Sequence, residues 1–386
     1  MTMATKNEIF ERYLHEYLKA HKERKGEILD AVCEITRMHR KAAIRKFKAL
    51  QNRDPWESGP RKRGRKVLYG TDVTAALKDI WNASSQLCGE LLHPLIYEYV
   101  AIMLRDGDWN HRPTTTERLL VMSEATVKRR TAGFIKARKG KGKSATSPSH
   151  LKEIIPIFTG PWEDKPPGYG QVDTVVHCGD SLLGDMIYTV NYTDVATLWV
   201  IPRAQWNKGQ RATKESLVCI KSRLPFPLAG IHPDTGAEFI NWHVKGWCDH
   251  TGIEFTRSRP NHKNDNAYVE QKNGHVIRRF LGYRRFDDPA LVPRINQLYD
   301  VLTIYLNHFV TSRTCINKIR VGAKYQRRYD KAKTPYQRVL LHDAVDQSVK
   351  DSLIKKHQKL NPLHLKKQID SLINTINKQQ KLYSNP

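Results

Sequence analysis

The run Pro167-Gly168-Tyr169-Gly170-Gln171-Val172-Asp173-Thr174-Val175-Val176-His177 decides how this 386-residue chain reads. Its centre is β-branched and apolar, and it ends at the turn Cys178-Gly179-Asp180-Ser181, which together make a buried strand. Asp173 sits inside that strand, where a carboxylate is costly to bury unless it is paired or holds a metal. A second acid, Asp234, follows the short apolar run Leu228-Ala229-Gly230-Ile231-His232-Pro233. It stands where a strand ends, the usual place for sites in open α/β sheets. A third, Glu270, falls in the helix-like run Asn266 to Arg278, with Asn264, Asp265 or Asn266 as its cap. Between Asp234 and Glu270 lie 35 residues.

The segments between the acids read in series. Strands are expected over 185–192 and 196–202, turning at Thr193-Asp194, and a helix over 208–224. A helix over 239–250 and a strand over 253–256 precede the Glu270 helix. The closing helix carries Ile295, Leu298, Leu302, Tyr305, Leu306 and Phe309 on one face. Asp180, Asp185 and Asp194 are expected at turns, Glu238 at a helix start, and His177 as a satisfied structural histidine.

Upstream the chain reads as helical. Ile9, Phe10, Tyr13, Leu14, Tyr17 and Leu18 share one face, and Ile28, Leu29, Val32 and Ile35 another. In the third helix Ala43, Ile44, Phe47 and Leu50 face in, while Arg40, Lys41 and Arg45 face out. Residues 1–50 thus form a first helix-turn-helix module, or a plain bundle with a solvated basic face. Residues 51–70 are a basic linker whose Arg63-Gly64-Arg65 either enters an A·T-rich minor groove or tethers to phosphates. Residues 71–137 form a second helix-turn-helix module. Ser123 caps its last helix, and Lys128, Arg129 and Arg130 are presented to DNA. Residues 138–160 are a second basic linker. After the core (161–310), residues 311–386 are a DNA-binding or oligomerisation region. It has a basic stretch with room for short strands and a helix starting at Asn361-Pro362, for core packing or self-association.

A net charge of +26 points to a polyanionic partner, nucleic acid first. No run is long and apolar enough to span a bilayer, and the first residues lack a secretory core. Six scattered cysteines without a Cys-x-x-Cys argue against a zinc ribbon or a disulfide scaffold and for a reducing compartment; a cytoplasmic, nucleoid-associated location is expected of such a DNA-binding chain.

Pro167 to Thr174, His232-Pro233-Asp234-Thr235-Gly236-Ala237-Glu238-Phe239 and Asn264-Asp265-Asn266-Ala267-Tyr268-Val269-Glu270-Gln271-Lys272-Asn273 together resemble the core of bacterial insertion-sequence transposases with a retroviral-integrase-type catalytic core. Asp-Asp-(35)-Glu is that family's pattern. Thr235 replaces the family's usual Asn, and its later lysine positions are Gly274 and Ile277, with Lys272, Arg278 and Arg279 nearby as DNA contacts. The resemblance covers roughly residues 165–310. It implies a multidomain α/β protein: N-terminal all-α helix-turn-helix modules, a central RNase H-like mixed α/β core and a small, β-rich C-terminal region ending in a helix. It also implies a metal-dependent DNA transposase/integrase in which Asp173, Asp234 and Glu270 are both catalytic residues and the ligands of two Mg²⁺ (or Mn²⁺) ions. On that resemblance Asp173 would bridge both ions, water would first free a 3′-OH at the transposon end, and that 3′-OH would then attack target double-stranded DNA. Paired ends imply a homo-oligomer. Two other classes remain open: a catalytically silent transposase-derived DNA-binding regulator, and an RNase H-like nuclease that only hydrolyses nucleic acid.

Overall fold

The structure, a computed structural model, describes residues 1–52, 68–134, 155–160, 162, 164–259, 263–322 and 324–384. Most of both expected basic linkers, with Arg63 and Arg65, lies outside the described residues. The chain divides into two compact units, Met1–Val67 and Leu68–Pro386.

In the first unit, α1 (Met3–Lys19), α2 (Lys22–Thr36) and α3 (Arg40–Gln51) pack around Phe10, Ile28, Leu29, Val32, Ala43 and Phe47. Arg37, in the left-handed region at φ 53°, ends α2, and His39 caps α3 by accepting from Lys41 N–H. The expected inward set is corrected at three places. Leu18, Ile35 and Ile44 are 40%, 45% and 42% exposed, because three short helices enclose too small a core to cover every apolar position.

The second unit begins with α4 (Thr71–Ala83), α5 (Gly89–Leu92), a 3₁₀ turn (His93–Leu95), α6 (Ile96–Arg105), α7 (Pro113–Leu120) and α8 (Glu124–Ala132). Ser123 caps α8 through Thr126 N–H, as its sequence position predicts. The sheet follows: β1 (Tyr169–Val176), β2 (Ile187–Asp194), β3 (Val200–Trp206), then α9 (Gln210–Arg223), β4 (Gly230–Pro233), α10 (Trp242–Thr251) and β5 (Glu254–Phe255). Its strand order is β3-β2-β1-β4-β5, antiparallel through the first three and parallel across β1, β4 and β5. After a 3₁₀ turn (Lys263–Asn266) come α11 (Ala267–Lys272), a π-helical turn (Asn273–Arg278), α12 (Arg279–Leu281) and α13 (Leu291–Phe309). A hairpin, β6 (Cys315–Val321) and β7 (Lys324–Tyr329), leads to α14 (Pro335–Leu341), α15 (Gln347–His357) and α16 (Pro362–Ser384).

Strand parity builds three layers. Val175, Ile187, Val200 and Ala204 join the core formed with α13 and α16, and that same core continues into α4–α8. Val172, Val190, Tyr192 and Ile201 face the other way, onto α9, α10, α14 and α15. Edge strand β3 is closed by two asparagines three turns apart on α13. Asn307 bonds Val200 N–H and C=O at 2.9 and 2.8 Å, and Asn296 bonds those of Ala204 at 2.8 and 2.9 Å. These satisfy edge groups that would otherwise template another strand.

The turn expected at Thr193-Asp194 falls instead at residues 195–199. Asp194 ends β2 fully buried, and its carboxylate accepts from Gly168 N–H at 2.7 Å, Thr197 N–H at 2.8 Å and the Thr197 hydroxyl at 2.7 Å. That side chain, rather than Thr193-Asp194 backbone geometry, makes the turn. Gly168, at φ +104°, must be glycine: a Cβ there meets the Pro227 carbonyl.

Candidate active site

Parallel pairing sets Gly170 beside Ile231 and Val172 beside Pro233. The next residue on each chain is an acid, so Asp173 and Asp234 stand side by side. Asp234 Oδ1 accepts Gly236 N–H at 2.9 Å, which turns the chain away from the sheet. Asp173 is half-buried. Its Oδ1 accepts Thr174 N–H at 2.7 Å, and its Oδ2 accepts the Asn273 amide at 2.6 Å. Asn273 Oδ1 in turn accepts from Asn191 Nδ2 at 2.8 Å, and Asn191 pairs with Asp173 across the β1–β2 ladder. Burial, then the charge of Asp234, push Asp173 up to about 7, against the two donors that favour its ionised form.

Gln171, on the same face as Asp173, fixes the third acid's helix. Its Nε2 donates to Asp265 C=O at 2.9 Å, and its Oε1 accepts Tyr268 N–H at 2.9 Å and Val269 N–H at 3.2 Å. A fully buried strand side chain thereby supplies the cap of α11. This corrects the expected local cap. Asn266 holds the N-cap position without a side-chain bond, and Asp265 is taken by Arg259, whose backbone N–H and guanidinium bond it at 2.9–3.0 Å. Glu270 is exposed on α11, one turn before Asn273 and therefore on the helix face that reaches Asp173.

Sequence reasoning placed Glu238 at a helix start. It is instead buried at 3% exposure beneath the acid pair. Its Oε1 accepts the Thr174 hydroxyl at 3.0 Å and pairs with Lys208 at 3.1 Å, while its Oε2 has no hydrogen-bond partner among the described residues. The only local sequence signal was an acid beside a glycine, since Gly236 is where a Cβ would press on the Glu238 carboxylate. His177 is a structural histidine but not the fully satisfied one expected, since its buried Nδ1 has no hydrogen-bond partner among the described residues. It is fully buried, its Nε2 meets the Thr189 hydroxyl at 2.8 Å, and burial lowers it to about 3.

Adjacent carboxylates whose mutual repulsion raises one of them make a donor set that fits a hard divalent cation. The pair carries that fit. Among the described residues no three His, Cys, Asp or Glu side chains are gathered as a metal group, so Glu270 does not close on Asp173 and Asp234 here.

The basic residues separate into two kinds. Lys41 and Arg45 are exposed on α3, Arg40 is exposed but pairs with Asp30, and Arg129 is exposed on α8. Lys128 pairs with Glu90. Arg130 turns inward, donating to Tyr69 C=O at 2.8 Å and to Thr74. Arg278 also turns inward, donating to Val176 C=O at 2.7 Å with its guanidinium 5.0 Å from the Tyr283 ring. Lys272 and Arg279 are half-buried and line a cavity with Phe280.

No protein-family model matches this sequence. The uncharacterized protein y4rM of Sinorhizobium fredii (strain NBRC 101917 / NGR234) is 35% identical over 331 residues, covering 85% of this chain and 93% of that protein. The chain belongs to the y4rM family. Among solved structures, the catalytic core domain of BIV integrase is similar at 14% identity and a TM-score of 0.29, covering 44% of this chain and 91% of that one. A likeness at that score carries no argument; for this y4rM-family chain the acid pair and its docked helix do. No helix of the described residues is long and apolar enough to cross a membrane.

Proposed function

We propose that this chain is a DDE-type DNA transposase: a metal-dependent polynucleotidyl transferase that cuts at a DNA element's end and joins the freed 3′-OH to target DNA. The observation that carries the reading is the placing of Asp173 and Asp234 on adjacent parallel strands, with the Glu270 helix locked to the same strand through Gln171 and Asn273. Strand order and the succession of elements support an RNase H-like core. The +26 charge supports a nucleic-acid substrate, and α2–turn–α3 and α7–turn–α8 suit helix-turn-helix contacts.

Asp173, Asp234 and Glu270 would hold Mg²⁺ or Mn²⁺. Two such ions, when bound, stabilise charge on the attacking and leaving oxygens of an in-line displacement at a phosphodiester. The protein's part is positional. Asn273 and Thr174 N–H fix the Asp173 carboxylate in its plane, Gly236 N–H fixes that of Asp234, and Gln171 sets the height of α11, which carries Glu270. Lys208 offsets the charge of Glu238 beneath the site. Self-association on paired DNA ends belongs to the same proposal.

A labelled duplex carrying the element's own end tests it. Incubated with Mg²⁺ or Mn²⁺ and unlabelled target, the protein is expected to give joined strands. Cut strands alone would identify a nuclease, and specific binding without metal-dependent products would identify a DNA-binding regulator.

A further inference from the structure

On the far side of α11 from the acids is a cavity of about 500 Å³, within the size range of small-ligand sites. Its walls are largely apolar, with Leu91, Val276, Phe280, Leu306 and Val310 among them, yet Lys272, Arg279 and Arg313 also line it. The single acid in its lining is Glu90, and Lys128 already engages it. Lys272 is half-buried and makes no hydrogen bond or ion pair among the described residues. Arg313 is held loosely, with acid oxygens at 3.5 and 3.6 Å, and its buried Nε has no hydrogen-bond partner among the described residues. The neighbouring Ser312 hydroxyl, also in the lining, is buried and likewise has no partner among the described residues. Buried donors and cations in such excess over acceptors leave desolvation uncompensated unless an anion completes the site.

The cavity rim is also conformationally special. Among the described residues five non-glycine positions have positive φ, and three of them, Ser85, Gln86 and Leu198, line this cavity. Left-handed backbone at non-glycine residues persists where the surroundings impose it, and it clusters at ligand sites.

We infer that this cavity is a second binding site, taking the phosphate group of a nucleotide on Lys272, Arg313 and Ser312, with the base against the apolar wall at Phe280. The oxyanion chemistry follows from the donors. The choice of a nucleotide among organic phosphates rests on the proposed DNA-handling function. Either a free mononucleotide or the 5′-phosphorylated end of a strand would supply that chemistry. Because α11 carries Glu270 on one side and Lys272 on the other, the occupant presses on the helix that bears the third acid.

The test is calorimetric titration of the full chain, without divalent ions, with inorganic phosphate, a deoxynucleoside 5′-monophosphate and a short 5′-phosphorylated single strand, on wild type, Lys272→Met and Arg313→Gln. Binding of the mononucleotide, or of the strand alone, supports the site and distinguishes the two sources. Each substitution is expected to weaken that binding by about tenfold or more, the scale of a lost charge-assisted hydrogen bond. Without ligand, Lys272→Met is expected to melt above wild type, since it removes an uncompensated charge; this shows that the variant folds. No binding, inorganic phosphate binding as well as the nucleotide, or undiminished binding in both variants would overturn the inference. Repeating the titration in Glu270→Gln separates the two proposals: binding there persists whether or not strand transfer occurs, and transfer without nucleotide binding removes only this site.

Discussion

Asp173→Asn should make the metal-free protein more stable at pH 8 and leave it unchanged near pH 4. Burial and the neighbouring Asp234 charge push the half-buried Asp173 up to about 7 in the folded chain, well above the ordinary aspartate range. Between the two the folded state binds more protons than the unfolded one, so stability falls as pH rises through that window and is flat above it. A rise of that size corresponds to about 4 kcal/mol, and half-burial with water access trims this to about 2–3 kcal/mol. An asparagine at this position removes the charge and keeps the shape. Its amide would oppose the Asn273 amide, but the chain Asn191–Asn273–residue 173 reverses readily. Asn191 Oδ1 is buried without a hydrogen-bond partner among the described residues, so it can accept when Asn273 flips. Urea denaturation in chelator at pH 5 and pH 8 measures this directly. The gain should appear at pH 8 and shrink toward pH 5. An equal gain at both pH values, or a loss at pH 8, would refute the cost of an ionised Asp173, from burial first and the Asp234 charge second, as the cause.

Adding millimolar Mg²⁺ or Mn²⁺ should raise the Tm of wild type and fail to do so for Asp173→Asn or Asp234→Asn; equal shifts in all three would place the ion elsewhere. Gln171→Ala should cost about 2–4 kcal/mol, because it strands the Asp265 C=O and the N–H groups of Tyr268 and Val269 in a buried place. Hydrogen exchange at those two amides should accelerate more than in β2, and uniform acceleration would contradict a local docking role. Gly170→Ala should destabilise by about 1–3 kcal/mol, since a Cβ there runs into the Tyr192 ring. Thermal melting checks it, and an unchanged Tm would mean that Tyr192 yields freely.

What the sequence disclosed was whatever depends on near neighbours. The Asp173 and Asp234 strands were legible because β-branched runs bounded by glycine and turn residues have one reading. The caps at Ser123 and Asn361 were legible because each bonds an N–H two or three residues on. Long-range partners were not. Gln171 caps a helix 97 residues away, and nothing around Tyr268 announces it. Asn273 reaches Asp173 across 100 residues. The true turn after β2 depends on where the Asp194 carboxylate finds its donors, which strand composition does not encode. Arg130 and Arg278 show the same limit from the surface side: a basic run looks solvent-facing until carbonyls such as those of Tyr69 and Val176 come within reach.

The account stands on Asp173, Asp234 and Glu270 acting as one site. It is tested most directly by metal-dependent strand transfer on a labelled element-end duplex, wild type against Glu270→Gln, with DNA binding measured alongside. Joined product in wild type, and its loss by about a hundredfold or more in Glu270→Gln with binding intact, is the predicted result. Joined product made equally by both proteins, or by neither while both bind DNA, would contradict it.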